Sequence, residues 1–190
     1  MKSRKNRGSA AVVVIVFFAI IALMIFGIVM LVRSKKYDPG TVDKATLTYT
    51  NKWAKVKIKA PDGFTITEKS DDDANIVMFS RVNGTKASII GVCADSSTTE
   101  VDTGLNYMRS QLSSLGVSST GFGLTLKPFT NTMIADKSYK VLPIEMKGGG
   151  VTVYMNLYAR NVHNNGVIIF FTVSMSPAET DELLRMISEY

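Results

Sequence analysis

Val151-Thr152-Val153-Tyr154-Met155-Asn156-Leu157-Tyr158-Ala159-Arg160 and Val167-Ile168-Ile169-Phe170-Phe171-Thr172-Val173-Ser174-Met175 decide the fold. In the first stretch Val151, Val153, Met155 and Leu157 share one face while Tyr154 and Tyr158 share the other, the two-residue period of a strand. In the second, Val167 to Phe171 is apolar on both faces, which asks for a central strand covered on both sides. Asn164-Asn165-Gly166 separates the two stretches, and Gly148-Gly149-Gly150 separates the first from another strand pattern, Ser138 to Met146. Three strands joined by turn residues make an antiparallel meander. Pro143 has no N–H to donate, so its strand belongs at a sheet edge or carries a bulge.

Upstream, Ile76 to Arg81 and Lys86 to Ala94 flank Asn83-Gly84, a pair suited to a two-residue hairpin turn. A first amphipathic helix runs from about Val101 to Leu115. Val101, Leu105, Met108, Leu112 and Leu115 line one face, Thr98 or Thr99 can cap it, and Gly116 can end it. A second opens with Ser176-Pro177-Ala178-Glu179, an N-cap, a first-turn proline and a capping-box acid. It continues through the stripe Leu183, Leu184, Ile187 and Tyr190. Val117 to Lys127 reads as a loop or an additional strand. The order strands, helix, strands, helix predicts an α+β fold: one antiparallel sheet of about six to seven strands with helices on both faces.

Val56-Lys57-Ile58-Lys59-Ala60-Pro61-Asp62-Gly63-Phe64 resembles the opening of PsbP-like domains, where a strand runs into a Pro-x-Gly-aromatic turn. The hairpin, the mid-chain helix, the meander and the closing helix follow in that family's order, so the likeness covers roughly Thr46 to Tyr190. The family includes the extrinsic PsbP subunit of photosystem II, a nuclear-import factor that binds the Ran GTPase, and many bacterial lipoproteins and anchored proteins. The resemblance implies a role in holding or assembling a partner without catalysis. Photosynthetic members are soluble in the lumen and linked to metal retention through histidine. This chain has a single histidine, His163, so neither photosynthesis nor metal retention carries over.

Ahead of this domain, Ala10 to Val32 is a run of 23 residues without a polar or charged side chain. At about 1.5 Å per residue it reaches roughly 34 Å, enough to cross a hydrocarbon core of about 30 Å. A cleaved signal peptide has an apolar region of about 7–15 residues and a small-x-small site. Here the run ends Ile28-Val29-Met30-Leu31-Val32-Arg33, which is too bulky for one. Lys2, Arg4, Lys5 and Arg7 precede the run and Arg33, Lys35 and Lys36 follow it. With the free α-amino group, that bias places the N-terminus in the cytoplasm and the C-terminal domain outside it. The chain then divides into a basic tail (1–9), a transmembrane helix (10–32), a juxtamembrane linker (33–45) and the domain (46–190). The expected location is the cell membrane, single-pass, with the bilayer itself as a partner.

Of the 22 Lys and Arg, seven precede Tyr37 and no acid does, so the remaining 15 face 16 Asp and Glu. The basic excess belongs to the membrane flanks, where anionic headgroups attract it, and is not the footprint of a nucleic-acid-binding domain. A single cysteine excludes an internal disulfide.

Candidate chemistry is sparse. His163 lacks companions for a zinc site, which generally takes three or four ligands, and sits in loop-like Asn161-Val162-His163-Asn164-Asn165-Gly166. Cys93 lies in an apolar strand with no neighbouring cation in sequence to lower its pKa, the pattern of a packed thiol. Asp71-Asp72-Asp73 lacks the spacing and glycine of a calcium loop. Gly148-Gly149-Gly150 joins two strands and opens no helix that would hold a phosphate. No Ser-x-x-Lys, Gly-x-Ser-x-Gly or His-Glu-x-x-His motif occurs, so no catalytic, cofactor or metal residue is assigned. Asn83-Gly84-Thr85 is formally a glycosylation acceptor, and the hairpin already accounts for its first two residues.

Lys55, Lys57 and Lys59 remain. Spaced by two, they project from one strand face, with Ala54, Val56 and Ile58 on the other. The row suits contact with anionic headgroups or an anionic wall polymer, or protection of an edge strand. Trp53 and Tyr49 nearby suit core packing. The sequence therefore predicts a non-catalytic, membrane-anchored extracytoplasmic module that binds an envelope protein or component; its rival is an anchored hydrolase with an unfamiliar site.

Overall fold

A computed structural model describes residues 40–71, 74–83, 86–95, 100–114, 123–162 and 166–190. The helix expected over 10–32 and its flanks Lys2, Arg4, Lys5, Arg7, Arg33, Lys35 and Lys36 lie outside the described residues. So do His163, Thr98 and Thr99. Among the described residues no helix is long and apolar enough to cross a membrane.

Twelve strands and two helices are described. They are β1 (Thr41–Asp43), β2 (Thr48–Asn51), β3 (Val56–Lys59), β4 (Thr65–Asp71), β5 (Ala74–Asn83), β6 (Lys86–Asp95), α1 (Val101–Ser114), β7 (Gly123–Leu126), β8 (Thr130–Ile134), β9 (Lys137–Gly148), β10 (Val151–Val162), β11 (Gly166–Ser174), α2 (Pro177–Arg185) and β12 (Ile187–Glu189).

The meander forms as its pattern demands. β9, β10 and β11 pair antiparallel, and β11 pairs on its other side with β6, so the doubly apolar strand is an inner one, buried along its whole length. The large sheet runs β4-β5-β6-β11-β10-β9-β7, with β8 also on β9. The hairpin closes with Asn83 opposite Lys86, one residue beyond the expected turn pair. Pro143 sits where β9 changes partner: β7 ends at Leu126 opposite Ile144, and β8 begins at Thr130 opposite Val141. Across that break the Lys127 N–H donates to the Pro143 carbonyl at 3.0 Å. β9 is thus not the edge strand expected; the residue without a donor instead occupies a gap in the ladder between β9 and its two outer partners.

Alternating residues of the large sheet feed two cores. On one face Ile169, Phe171, Leu157 and Met155 pack with Leu105, Met108 and Leu112 of α1. Gly91 of β6 is essential there, because a Cβ would stand 2.1 Å from the Phe171 ring. On the other face Phe79, Ile90, Ile168, Phe170 and Tyr158 pack with Tyr49, Val56 and Ile58, and with Leu183 and Ile187. Those last residues come largely from a second sheet, β1-β2-β3-β12.

This corrects the expected architecture. The domain is predominantly β and built on two sheets, an eight-stranded one and a four-stranded one, not one sheet of six to seven strands sandwiched by helices. The small sheet escaped notice because its strands have three or four residues, too few to establish a period. The closing helix also stops early. Ser176 caps it as expected, its hydroxyl oxygen accepting from the Glu179 N–H at 3.2 Å, while the Glu179 carboxylate accepts from the Met175 N–H at 2.9 Å. After Arg185 the chain turns extended, and Ile187 pairs with Ile58. The four-residue spacing from Leu183 to Ile187 mimics a helical stripe, yet tertiary pairing with β3 decides the backbone.

Arg160 fastens the two sheets together. Its Nε donates to the Tyr139 hydroxyl at 2.9 Å and its Nη2 donates to the Ala54 carbonyl at 2.6 Å. Arg81 adds a paired contact with the Glu182 carboxylate at 3.1 and 3.2 Å, its guanidinium 4.8 Å from the centre of the Phe64 ring.

Candidate functional site

The small sheet has one buried and one outward face. Tyr49, Asn51, Val56 and Ile58 point inward and are buried. The register then places the outward residues in two cross-strand rows: Thr41, Thr50, Lys57 and Ser188, and beside it Asp43, Thr48 and Lys59. All of these but Ser188 surround, with Lys52 and Tyr190, a shallow concavity of about 650 Å³.

Lys57 and Lys59 share this face as their spacing predicts. Lys55 does not join them: it lies in the turn before β3, with a positive φ of 53° and an exposed side chain. Lys52, from the same turn, lines the concavity instead. The sequence offered no sign of Lys52, because turn geometry and not alternation aims it. Thr48 and Thr50 were legible as partners only once β2 was known to pair with β3. Nor is β3 an edge; it runs between β2 and β12, so edge protection does not account for its lysines. Trp53 is half-buried against the inter-sheet core.

The electrostatics of the face differ from those of the large sheet. There Lys137 pairs with Glu189 and Lys140 with Asp102, each at 2.7 Å, while Lys127 and Lys147 share Glu145. Lys127 hydrogen bonding holds the Glu145 carboxyl below the usual carboxylate range. Among the described residues, no ion pair involves Lys52, Lys57 or Lys59. The one acid on the face, Asp43, is engaged by its own turn: it accepts from Thr46 Oγ1 at 2.7 Å and from the Ala45 N–H at 2.9 Å. Those bonds, that of the Thr46 hydroxyl foremost, lower its pKa. Three cations and a set of hydroxyls therefore face solvent with one committed carboxylate. Such a surface can bind anions by charge and hydrogen bonding.

A second groove, about 380 Å³, lies beside α2 and includes Glu145, Tyr154, Asn156, Thr180 and Asp181. Of its two carboxylates, Glu145 is held by two lysines; the Thr180 hydroxyl is 2.6 Å from Ser174 Oγ and 3.4 Å from the Ser176 carbonyl. The hydroxyl is thus committed to structure and no base contacts it. Cys93 is buried in β6. Among the described residues no three His, Cys, Asp or Glu side chains gather as a metal site would require.

Fold and face together define a predominantly β, two-sheet domain with a cationic, hydroxyl-bearing outer surface. Among solved structures the chain is similar to cyanobacterial PsbP from Synechocystis: 14% identity and a TM-score of 0.46, over 75% of this chain and 91% of that one. It is also similar to LpqN, involved in cell envelope biogenesis of Mycobacterium tuberculosis: 11% identity and a TM-score of 0.45, over 80% of this chain and 85% of that one. The PsbP-like resemblance seen at Val56 to Phe64 thus meets a PsbP among the solved structures. At these values the likeness is one of chain course and says nothing of activity. No protein-family model matches the chain, and no curated protein does.

Proposed function

We propose that this protein is a single-pass, membrane-anchored domain displayed outside the cytoplasm, which binds an envelope protein or component without turning it over. The anchor rests on the 23-residue apolar run and its cationic flanks. The binding role rests on one observation above all: Lys52, Lys57 and Lys59 converge on a concave face where, among the described residues, no acid pairs with them. Non-turnover is supported by the missing catalytic motifs and by the committed hydroxyl of Thr180 in the second groove.

Two measurements test it. A Ser110→Cys variant, placed on the exposed side of α1, reacts with a membrane-impermeant maleimide in intact cells; reaction only after lysis refutes the location. In mildly solubilised membranes the wild-type chain retains a component that a Lys52→Ser, Lys57→Ser, Lys59→Ser variant releases. Equal recovery with both chains removes the face from the function.

A further inference from the structure

We infer that the lysine-threonine face docks on the anionic headgroup layer of the bilayer in which the chain is itself anchored. This deepens the proposal above and rests on its anchor, not on its envelope partner.

Tether geometry is the first reason. Gly40 lines the concavity, and only seven residues separate it from Val32, the last of the apolar run. Fully extended, they span at most about 25 Å. A domain of this size is roughly 40 Å across, from its expected radius of gyration. A leash shorter than the domain's width keeps the surface around its attachment point toward the membrane. Gly40 lies close against the small sheet: its φ is +75°, and a Cβ there would stand 2.6 Å from the Tyr49 ring, so only glycine fits where the leash meets the face.

Chemistry is the second. The face presented at the end of this leash carries Lys52, Lys57 and Lys59 without ion pairs among the described residues, whereas four lysines of the large sheet are paired. Thr50 adds a hydroxyl donor suited to phosphate oxygens, while the Thr48 hydroxyl already donates to the Thr46 carbonyl at 3.1 Å. Tyr190, 57% exposed, stands at the rim, and tyrosine favours the membrane–water interface. The rows hold no large aliphatic side chain, so the contact is superficial and electrostatic. It does not insert into the hydrocarbon, and salt weakens it.

The test uses the full chain in nanodiscs of phosphatidylcholine with and without phosphatidylglycerol. A fluorophore sits on Ser188→Cys, at the end of the outer row, or on Ser110→Cys of α1 across the large sheet, and a quencher is attached to lipid headgroups. Phosphatidylglycerol should increase quenching at position 188 and not at 110, and about 1 M salt should abolish the increase, since the Debye length is then about 3 Å. Each lysine shifts the docked-to-free ratio about fivefold, so replacing Lys52, Lys57 and Lys59 by serine should lower it about a hundredfold. Quenching independent of lipid charge, or unchanged by the triple replacement, overturns the docking. If the face instead releases its envelope component in the triple variant while quenching never depends on lipid, the face belongs to that partner and the lipid proposal fails alone. A chain that washes off the discs defeats the anchor and both proposals together.

Discussion

Tyr158 is 3% exposed in the core between the two sheets, and burial pushes its phenol up to about 12. Hydrogen bonds from Thr172 and Asn156 oppose the shift, while Asp181 adds to it. The unfolded chain ionises near the ordinary value of 10.0, so the stability contribution is intact below that pH. It is lost as pH rises toward the folded value, by about 3 kcal/mol. Tyr139 acts in the same direction, burial raising its pKa and Arg160 moderating the rise. Urea unfolding followed from about pH 8 to about pH 11 should therefore show a falling free energy, and Tyr158→Phe should flatten much of the fall. An unchanged slope would assign it to another group. None of this was legible from the tyrosine's place in a strand: alternation put Tyr154 and Tyr158 on one face, but only the second sheet distinguishes buried Tyr158 from half-buried Tyr154.

Among the elements, β12 is the one whose loss is most informative. Three residues long, it closes the small sheet through Ile187 opposite Ile58 and Ser188 opposite Lys57. Ile187 is 6% exposed in the inter-sheet core. Ile187→Ala should cost about 2–4 kcal/mol by loss of apolar burial and the cavity left behind. Amide exchange of Val56 to Lys59 should quicken more than that of β11, because the small sheet can open while the large one stays paired. Equal acceleration in both would mean that the sheets open only together. The long strands are readable for two reasons: β10 alternates plainly over its twelve residues, and β11 is a continuous apolar run bounded by turn residues. Of the four short strands only β3 shows itself in the sequence, through the alternation of Val56 to Lys59, while β1, β2 and β12 are too short and Ile187 carries no local signal that separates it from the helical stripe.

At the scale of the whole molecule, Cys93 reports on the two-layer design. It is 1% exposed in β6, which lies between β5 and β11 inside the large sheet. No edge gives access to it, so its reaction with a thiol reagent should follow global unfolding, with the same denaturant dependence as loss of structure. Fast reaction in native buffer would show that this sheet opens locally. The two outer layers also explain how the chain manages without a disulfide: α1 covers one face, the small sheet and α2 cover the other, and the inner strands are buried on both sides. By itself the sequence determined the hydrophobic run of 10–32, the meander, the hairpin and the cap of α2, because each is written in contiguous residues whose periodicity or turn chemistry has one physical reading. Only tertiary structure decided the second sheet, the end of α2 at Arg185 and the company of Lys57 and Lys59. The end of α2 depends on pairing between β3 and β12, more than a hundred residues apart, and the company of Lys57 and Lys59 on pairing among strands of three or four residues, whose partners no local pattern encodes.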